Sequence, residues 1–377
     1  MVNISEIRVA IVGLSVGHAG SIGPENPSII HNLRQMDGVE VVAYCESEKP
    51  EILKDAEIHH PEANTYTDVK DLIDKEDFDM ALVVLVPREL PRVCIQLAEA
   101  GKHMFIDKQF ARTSEELIPV VKAVRKNGVK TGLGYPWSYH PAMRDLKNIV
   151  LKGILGRPLD IECRQVWWKA GPGGKDPTLP CYQKDTEGGG ALHFVGSHLL
   201  ELMRNLMGCE VKSVQAMTGR PVGAIEEPLE DIAILAMEYE NGAYGSLHTA
   251  YTKPNGLGSI DPKRTTNSYD SAMVYRGLEG WANWTPVGDH KMEVFSAIPE
   301  WSGAPERVFE YDLAPLEKGY GNKQWMQDWI ESFIDAIRTN QDHYTTIEDG
   351  LHILQLIDAA YQSARTGNRV DVTYGTG

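Results

Sequence analysis

Basic charge is scarce in this chain of 377 residues: 37 lysines and arginines stand against 53 aspartates and glutamates, a formal net charge of −16. An acidic surface repels phosphate backbones and anionic headgroups, so no nucleic acid and no membrane are expected as partners. Cysteine is also sparse. Cys45, Cys94, Cys163, Cys181 and Cys209 are widely spaced and form no Cys-x-x-Cys pair, which argues against a disulfide framework and for a reducing compartment. His59-His60 lies in a polar stretch without further ligands at helical spacing, so no metal is expected. Apolar runs stay well short of the ~20 residues that span a bilayer. No basic and apolar leader precedes the first strand, and the cytoplasm is the expected location.

What is present is ordinary globular composition, 42% hydrophobic and 24% charged, over a length that suits two domains. The first ~130 residues alternate strand and helix signals. Strands are expected at Arg8 to Val12, Val39 to Cys45, Ala81 to Val86, His103 to Ile106 and Val129 to Gly132. Helices are expected at Ile29 to Met36, from Thr67 to Lys75, at Ile95 to Ala100 and at Ser114 to Lys126. Nearly continuous apolar strands between amphipathic helices indicate a parallel sheet covered on both faces. After Tyr135 the rhythm changes. Pro158 to Trp168, Val211 to Met217, Ile232 to Tyr239, Ala243 to Tyr251, Ala272 to Tyr275 and Lys291 to Phe295 read as strands with few helices between them. The expected fold is therefore an α/β Rossmann domain over 1–134, then an α+β domain over 135–377 with a large, mainly antiparallel open sheet. Helical segments at about 325–366 are expected to pack back toward the first domain.

Gly13-Leu14-Ser15-Val16-Gly17-His18-Ala19-Gly20 follows the first strand. Glycines there allow a tight turn and close approach to a pyrophosphate at a helix N-terminus. Ser15 and His18 break the simple Gly-x-Gly-x-x-Gly pattern. Glu46 ends the second strand, where a carboxylate can accept from ribose hydroxyls and repel a 2′-phosphate, so NAD is expected over NADP. It lies 33 positions beyond Gly13, against roughly 20 in the simple fingerprint; Gly23 to Pro27 reads as the insertion.

Ala81-Leu-Val-Val-Leu-Val-Pro87 and Leu97-Ala-Glu-Ala-Gly-Lys-His103-Met-Phe-Ile-Asp107-Lys108-Gln109 resemble the Gfo/Idh/MocA family of sugar and inositol dehydrogenases. The family pattern is an apolar strand ending in Thr-Pro, then Glu-Ala-Gly-Lys-His and Glu-Lys-Pro. Gly188-Gly-Gly-Ala-Leu-His193-Phe194-Val-Gly-Ser-His198-Leu-Leu-Glu201 resembles its GGGxLxDxGxHxxD segment. Gly132 to Pro141, Lys152 to Gly156 and Asp358 to Val370 match in kind, so the resemblance covers essentially the whole chain.

The resemblance implies that Lys108 lies beside the nicotinamide and the reacting hydroxyl, and that His198 is the active-site histidine. Asp107 replaces a glutamate, and Gln109 a proline usually associated with a cis bond. Phe194 stands where the family has aspartate. Beside it, His193 either supplies a substrate contact in place of that aspartate or is a bonded core histidine. Pro136-Trp137-Ser138 replaces the common Asn-Arg-Arg. The implied cofactor site uses Gly13, Ser15, Val16, Gly17, His18, Glu46, Pro87, Asp107 and Lys108. The implied substrate site uses Tyr135, Trp137, Trp167, His193, Phe194 and His198.

Oxidising a secondary alcohol removes hydride from carbon and a proton from oxygen. Histidine suits the proton transfer, and a lysine cation stabilises developing alkoxide charge. The expected activity is NAD-dependent oxidation or reduction of a sugar, sugar derivative or glycoside. Trp137, Tyr139, Trp167, Trp168, Tyr182, Trp281 and Trp284 offer ring faces for a sugar, and Gly171 to Gly174 and Lys253 to Ser271 read as loops bordering the pocket. Two other readings are an NAD-dependent glycosidase that oxidises transiently and eliminates, and a non-catalytic nucleotide-binding regulator. A one-sided sheet leaves an apolar face for another subunit, so a homo-oligomer is expected.

Overall fold

The computed structural model describes residues 6–15, 22, 29–167, 182–223, 225–252, 269–284, 291–311 and 324–376. The chain divides into two compact units, one of residues 1–139, 314–351 and 375–377, the other of 140–313 and 352–374.

In the first unit, β1 (Ile7–Val12), β2 (Val39–Cys45), β3 (Asn64–Tyr66), β4 (Met80–Val83), β5 (His103–Ile106) and β6 (Thr131–Leu133) make one sheet in the order β3-β2-β1-β4-β5-β6. Every pairing is parallel. Between the strands in sequence lie α1 (Ile29–Gln35), α2 (Leu53–His59), α3 (Val69–Lys75), α4 (Leu90–Glu99) and α5 (Ser114–Asn127). All four residues of β4 are buried, as a sheet covered on both faces requires. Local capping agrees with the pattern. Asp68 accepts from the amides of Lys70 and Asp71 at the start of α3, and Thr113 caps α5. The order reverses between β1 and β4, which opens a crevice at their carboxyl ends where doubly wound sheets bind ligands.

The second unit holds α6 (Pro141–Leu151), β7 (Pro158–Trp167), α7 (Lys184–Glu187), a π-helical turn (Leu192–Gly196) and α8 (Ser197–Met207). There follow β8 (Val211–Gly219), β9 (Ile232–Tyr239), β10 (Tyr244–Ala250), β11 (Tyr269–Gly277), β12 (Gly280–Trp284), β13 (Lys291–Ser296), β14 (Glu306–Glu310) and β15 (Val370–Asp371). They form a nine-stranded sheet in the order β14-β13-β12-β11-β7-β10-β9-β8-β15. Its pairs are antiparallel except β10 with β7. Along β9 the buried Ala233, Leu235 and Met237 alternate with Ile234, 48% exposed, the period-2 signature of a sheet with one open face. Two further helices, α9 (Gln324–Thr339) and α10 (Ile347–Thr366), come between β14 and β15 in sequence. In the first unit, Trp329 and Phe333 of α9 pack on Phe105 of β5 at ring distances of 4.7 and 5.4 Å.

Elements without a strong apolar period escaped the sequence reading. Helix α2 buries only Leu53 and Ala56, β3 has three residues, and β12 and β14 are short and half polar. The expected strand to Val86 stops at Val83. Val84 still donates to Val12 O at 2.8 Å, after which the buried Val86 and Pro87 leave the ladder.

Candidate functional site

Gly13 follows β1 with φ +93°, and a Cβ there would stand 2.1 Å from the carbonyl oxygen of Val84. Only glycine meets both demands. The next two amides, Leu14 and Ser15, donate to Oε2 of Glu46 at 2.8 and 2.9 Å. Oε1 of the same carboxylate accepts from the amides of Glu48 and Lys49 at 2.8 and 3.1 Å. Glu46 is 1% exposed. Burial alone would raise its pKa, but the four amides outweigh that and hold it below the ordinary carboxylate range. The residue expected to meet the ribose is thus also the clamp joining the glycine turn to the turn after β2. Val16, Gly17, His18 and the Gly23 to Pro27 stretch lie outside the described residues.

A pocket opens beside this clamp, at the carboxyl ends of β1, β2 and β4. Val12, Val69, Val86 and Val93 give it apolar walls; Ser15, Ser47, Glu48 and Arg92 give it a polar rim. An apolar slot with hydrogen-bonding groups on one side fits the adenosine half of a dinucleotide.

Further along the same sheet edge, Asp107-Lys108-Gln109 follows β5, and these residues are 6%, 6% and 4% exposed. The amide of Asp107 donates to Val83 O at 2.8 Å. The Lys108–Gln109 peptide is cis, so the bond associated with the family's proline is present without proline. Tyr135 is 1% exposed and meets Phe110 edge-on at 5.3 Å. Trp137 is buried in the short 3-10 turn Pro136–Tyr139.

The second unit carries Trp167, His193, Phe194 and His198. Gly190 precedes the π-helical turn, and a Cβ there would lie 1.9 Å from the carbonyl oxygen of Glu230. Glu230, 5% exposed, accepts from the amides of Gly190 (3.1 Å) and Leu192 (2.8 Å) and from the Tyr361 hydroxyl (3.1 Å). Burial dominates and raises its pKa despite these donors. His193 is 1% exposed, with Nδ1 4.0 Å from a Glu187 carboxylate oxygen. Phe194 stacks on Trp167 at 6.4 Å and 17°, within a buried cluster that includes Tyr182 and Tyr251. His198 is half-buried between the buried Ser197 and Leu199. π-Helical turns concentrate at functional sites, and here one immediately precedes the histidine-bearing helix.

Trp284 packs against His140 at 4.8 Å, and Trp281, 36% exposed, stacks on Phe295 at 6.3 Å; both satisfy the sheet on which they lie. Trp168, Gly171 to Gly174 and 253–268 lie outside the described residues. The reading by sequence missed Ser47, Glu48 and Arg92 on the crevice rim, and Glu230, Glu187 and Tyr361 behind the Gly-Gly-Gly turn. A signal for Glu230 existed in the acidic pair Glu230-Asp231 set directly before an apolar strand.

Comparison with known proteins gives the geometry its context. Residues 7–135 match the oxidoreductase family with NAD-binding Rossmann fold, and residues 143–266 match the GFO/IDH/MocA C-terminal domain. YrbE, an oxidoreductase of Bacillus subtilis, is 25% identical over 98% of this chain and 97% of the relative. A levoglucosan dehydrogenase of Pseudarthrobacter phenanthrenivorans is 24% identical over 86% of this chain and 87% of its own. A solved levoglucosan dehydrogenase complex with NADH superposes with a TM-score of 0.82 at 22% identity, covering 98% of this chain and 100% of that one. The two family matches together span most of the chain, and with the parallel sheet, its crevice and the second open sheet they make it a member of the Gfo/Idh/MocA family of NAD-binding oxidoreductases.

Proposed function

We propose that this oxidoreductase interconverts a secondary alcohol and a ketone on a sugar, sugar derivative or glycoside, with Lys108 and His198 as its catalytic residues. The observation that carries the reading is chemical. A lysine 6% exposed ends the sheet edge that bears the cofactor crevice, and a half-buried histidine opens the helix after the π turn. Each stands at the position where the family resemblance expects it.

NAD, when bound, supplies the hydride acceptor. Gly13, Ser15, Glu46 and Pro87 hold or shape its adenosine end in this reading, with Val16, Gly17 and His18 at the pyrophosphate and Asp107 beside Lys108. The Lys108 ammonium stabilises negative charge developing on the substrate oxygen, and the His198 imidazole takes the proton. Phe194 stacked on Trp167 gives the sugar an apolar face where the family has a carboxylate. That favours a derivative or glycoside over a free polyol. Tyr135 and Trp137 are assigned to the substrate as the family resemblance implies, and His193, buried with Glu187, supports the turn that carries His198.

A panel of sugars and glycosides with NAD, followed at the NADH absorbance band, tests the activity. Sugar release without NADH accumulation would count against it. Lys108→Ala and His198→Ala should each lower kcat by about 100-fold or more, with cofactor affinity retained in His198→Ala. Near-wild-type turnover in either variant removes that residue from the mechanism.

The relatives named as sugar dehydrogenases support a small-molecule substrate. For assembly, Met217 and Ile234 are cross-strand neighbours exposed by 74% and 48% on the open sheet face, and we assign that face to a second copy of the chain. Light scattering should give a mass above one chain, and Met217→Lys should lower it. Among the described residues no helix is long and apolar enough to cross a membrane, and Cys45, Cys94, Cys163 and Cys209 are free, as in a cytoplasmic protein.

A further inference from the structure

Trp137 lies in, and Tyr135 directly before, the four-residue 3-10 turn Pro136–Tyr139. A turn that short makes few hydrogen bonds of its own, and both its ends are tied to residues 332–345 of the same unit. The Tyr344 hydroxyl donates to the carbonyl oxygen of Tyr135 at 3.2 Å. The Tyr139 hydroxyl donates to Ser332 Oγ of α9 at 2.7 Å. His343 joins the two ties. Its Nε2 stands 3.0 Å from Ser332 Oγ. Thr345 offers its Nδ1 an acceptor, the carbonyl oxygen at 3.0 Å, and two donors, the amide and hydroxyl at 3.3 Å. The imidazole therefore bridges Ser332 to Thr345 whichever nitrogen carries the proton. Its ring lies parallel to that of Tyr139 at 6.3 Å and 5°, and meets Phe105 and Phe333 edge-on at 6.3 and 5.7 Å. His343 is 5% exposed.

We infer that His343 is a positioning residue for the substrate: it fixes the turn that presents Tyr135 and Trp137, and so sets affinity for the sugar rather than the rate of hydride transfer. The inference rests on the assignment of those two aromatics to the substrate under the proposed function. Ring faces bind a sugar by fit against its C–H groups, so a wall displaced by about 1 Å loses much of its contact. Burying an imidazole costs free energy unless its nitrogens are satisfied. An apolar side chain would fill the same space without that cost, and what the histidine adds is the two-sided bridge. Lys108 and His198 carry the chemistry whether or not the bridge is intact.

Steady-state assays with the best sugar of the panel, beside NADH titration and hydrogen exchange on the full chain, test it. His343→Leu should raise KM for the sugar about tenfold, with kcat changed by less than about threefold and NADH affinity retained. That split is the mark of lost substrate binding. His343→Gln, which keeps a polar group within reach of Ser332, should recover part of the loss. Tyr344→Phe, at a residue 39% exposed, spares the core and should raise KM about threefold; it decides the matter where His343→Leu does not fold. Combined with Trp137→Ala it should add less than it does alone, because both act through one wall. The amides across 135–139 should exchange faster in His343→Leu. An unchanged KM in folded His343→Leu and in Tyr344→Phe overturns the inference, as does a fall in kcat alone. If the wild type turns over no sugar, the proposed function fails, and exchange across 135–139 still decides the positioning role: rates equal to wild type overturn it.

Discussion

Glu46 in the first unit and Glu230 in the second are both buried, both hold the backbone of a glycine-bearing turn, and titrate in opposite directions. Glu46 accepts four amides, two on each oxygen, and its pKa is lowered in spite of burial. Glu230 accepts two amides and one hydroxyl, and burial raises its pKa in spite of them. Burial of a carboxylate is thus no guide to its charge. The balance between lost water and aimed N–H donors decides it. The first unit holds its turn with an anion; the second holds its own with a group inclined to keep its proton.

The glycines test whether the two turns are equally rigid. A Cβ at Gly190 or Gly13 would meet a backbone carbonyl oxygen at 1.9 or 2.1 Å, and backbone cannot swing away as a side-chain tip can. Gly190→Ala and Gly13→Ala should each cost about 3 kcal/mol or more in urea denaturation. Gly13 adds its positive φ, so its substitution should be the worse of the two. A loss below about 1 kcal/mol at either position would mean that its turn yields, and the likeness between the regions would end there.

The carboxylates themselves break the symmetry. Glu46→Gln removes an acceptor from two amides and should cost about 2–3 kcal/mol near neutral pH. Because the folded pKa of Glu46 lies below the ordinary value of 4.5, its contribution is fully present above that value and is lost as pH falls through the folded pKa. The deficit of Glu46→Gln should therefore shrink on acidification. Glu230 has the opposite sign. Its raised pKa gives stability that is present below 4.5 and lost as pH rises through the folded value. Glu230→Gln should cost about 1–2 kcal/mol in acid and less near neutrality. Denaturation curves of both variants across pH decide the matter: slopes of the same sign would refute the contrast.

How much of this could be read from sequence also differs between the regions. The parallel sheet was legible because β2 and β5 are mostly apolar, β-rich stretches with clear ends, and both fall at the expected residues. Lys108, Gln109, His198 and Phe194 were legible as positions in family segments. The clamp was not, because the four amides that meet Glu46 come from two turns set 32 and two or three positions away, and amides have no sequence signature. Arg88 and Glu48 lie 40 positions apart; only the winding of β2 and β4 around β1 makes them neighbours. In the second unit, the π-helical turn Leu192–Gly196 was not legible, because its hydrogen-bond spacing leaves no period of its own in a short apolar segment. The Glu230–Tyr361 pair joins the start of β9 to α10 across 131 positions, beyond any local period.

The smallest expected effect is the sharpest probe of the second turn. Tyr361→Phe removes one of three donors to Glu230 and little volume, and should cost about 1 kcal/mol. The hydroxyl favours the charged carboxylate and so lowers the Glu230 pKa; without it that pKa climbs further. A hydrogen bond to the ionised form is worth more than one to the neutral acid. The deficit of Tyr361→Phe should therefore grow as pH rises through the folded pKa of Glu230, opposite in slope to that of Glu230→Gln. Measured together by chemical denaturation, the two variants should diverge with pH, and a flat Tyr361→Phe profile would show that Glu230 keeps its proton at every pH at which the protein stays folded. In that event the second turn is held by a neutral acid, and the contrast with the anionic clamp of Glu46 becomes complete.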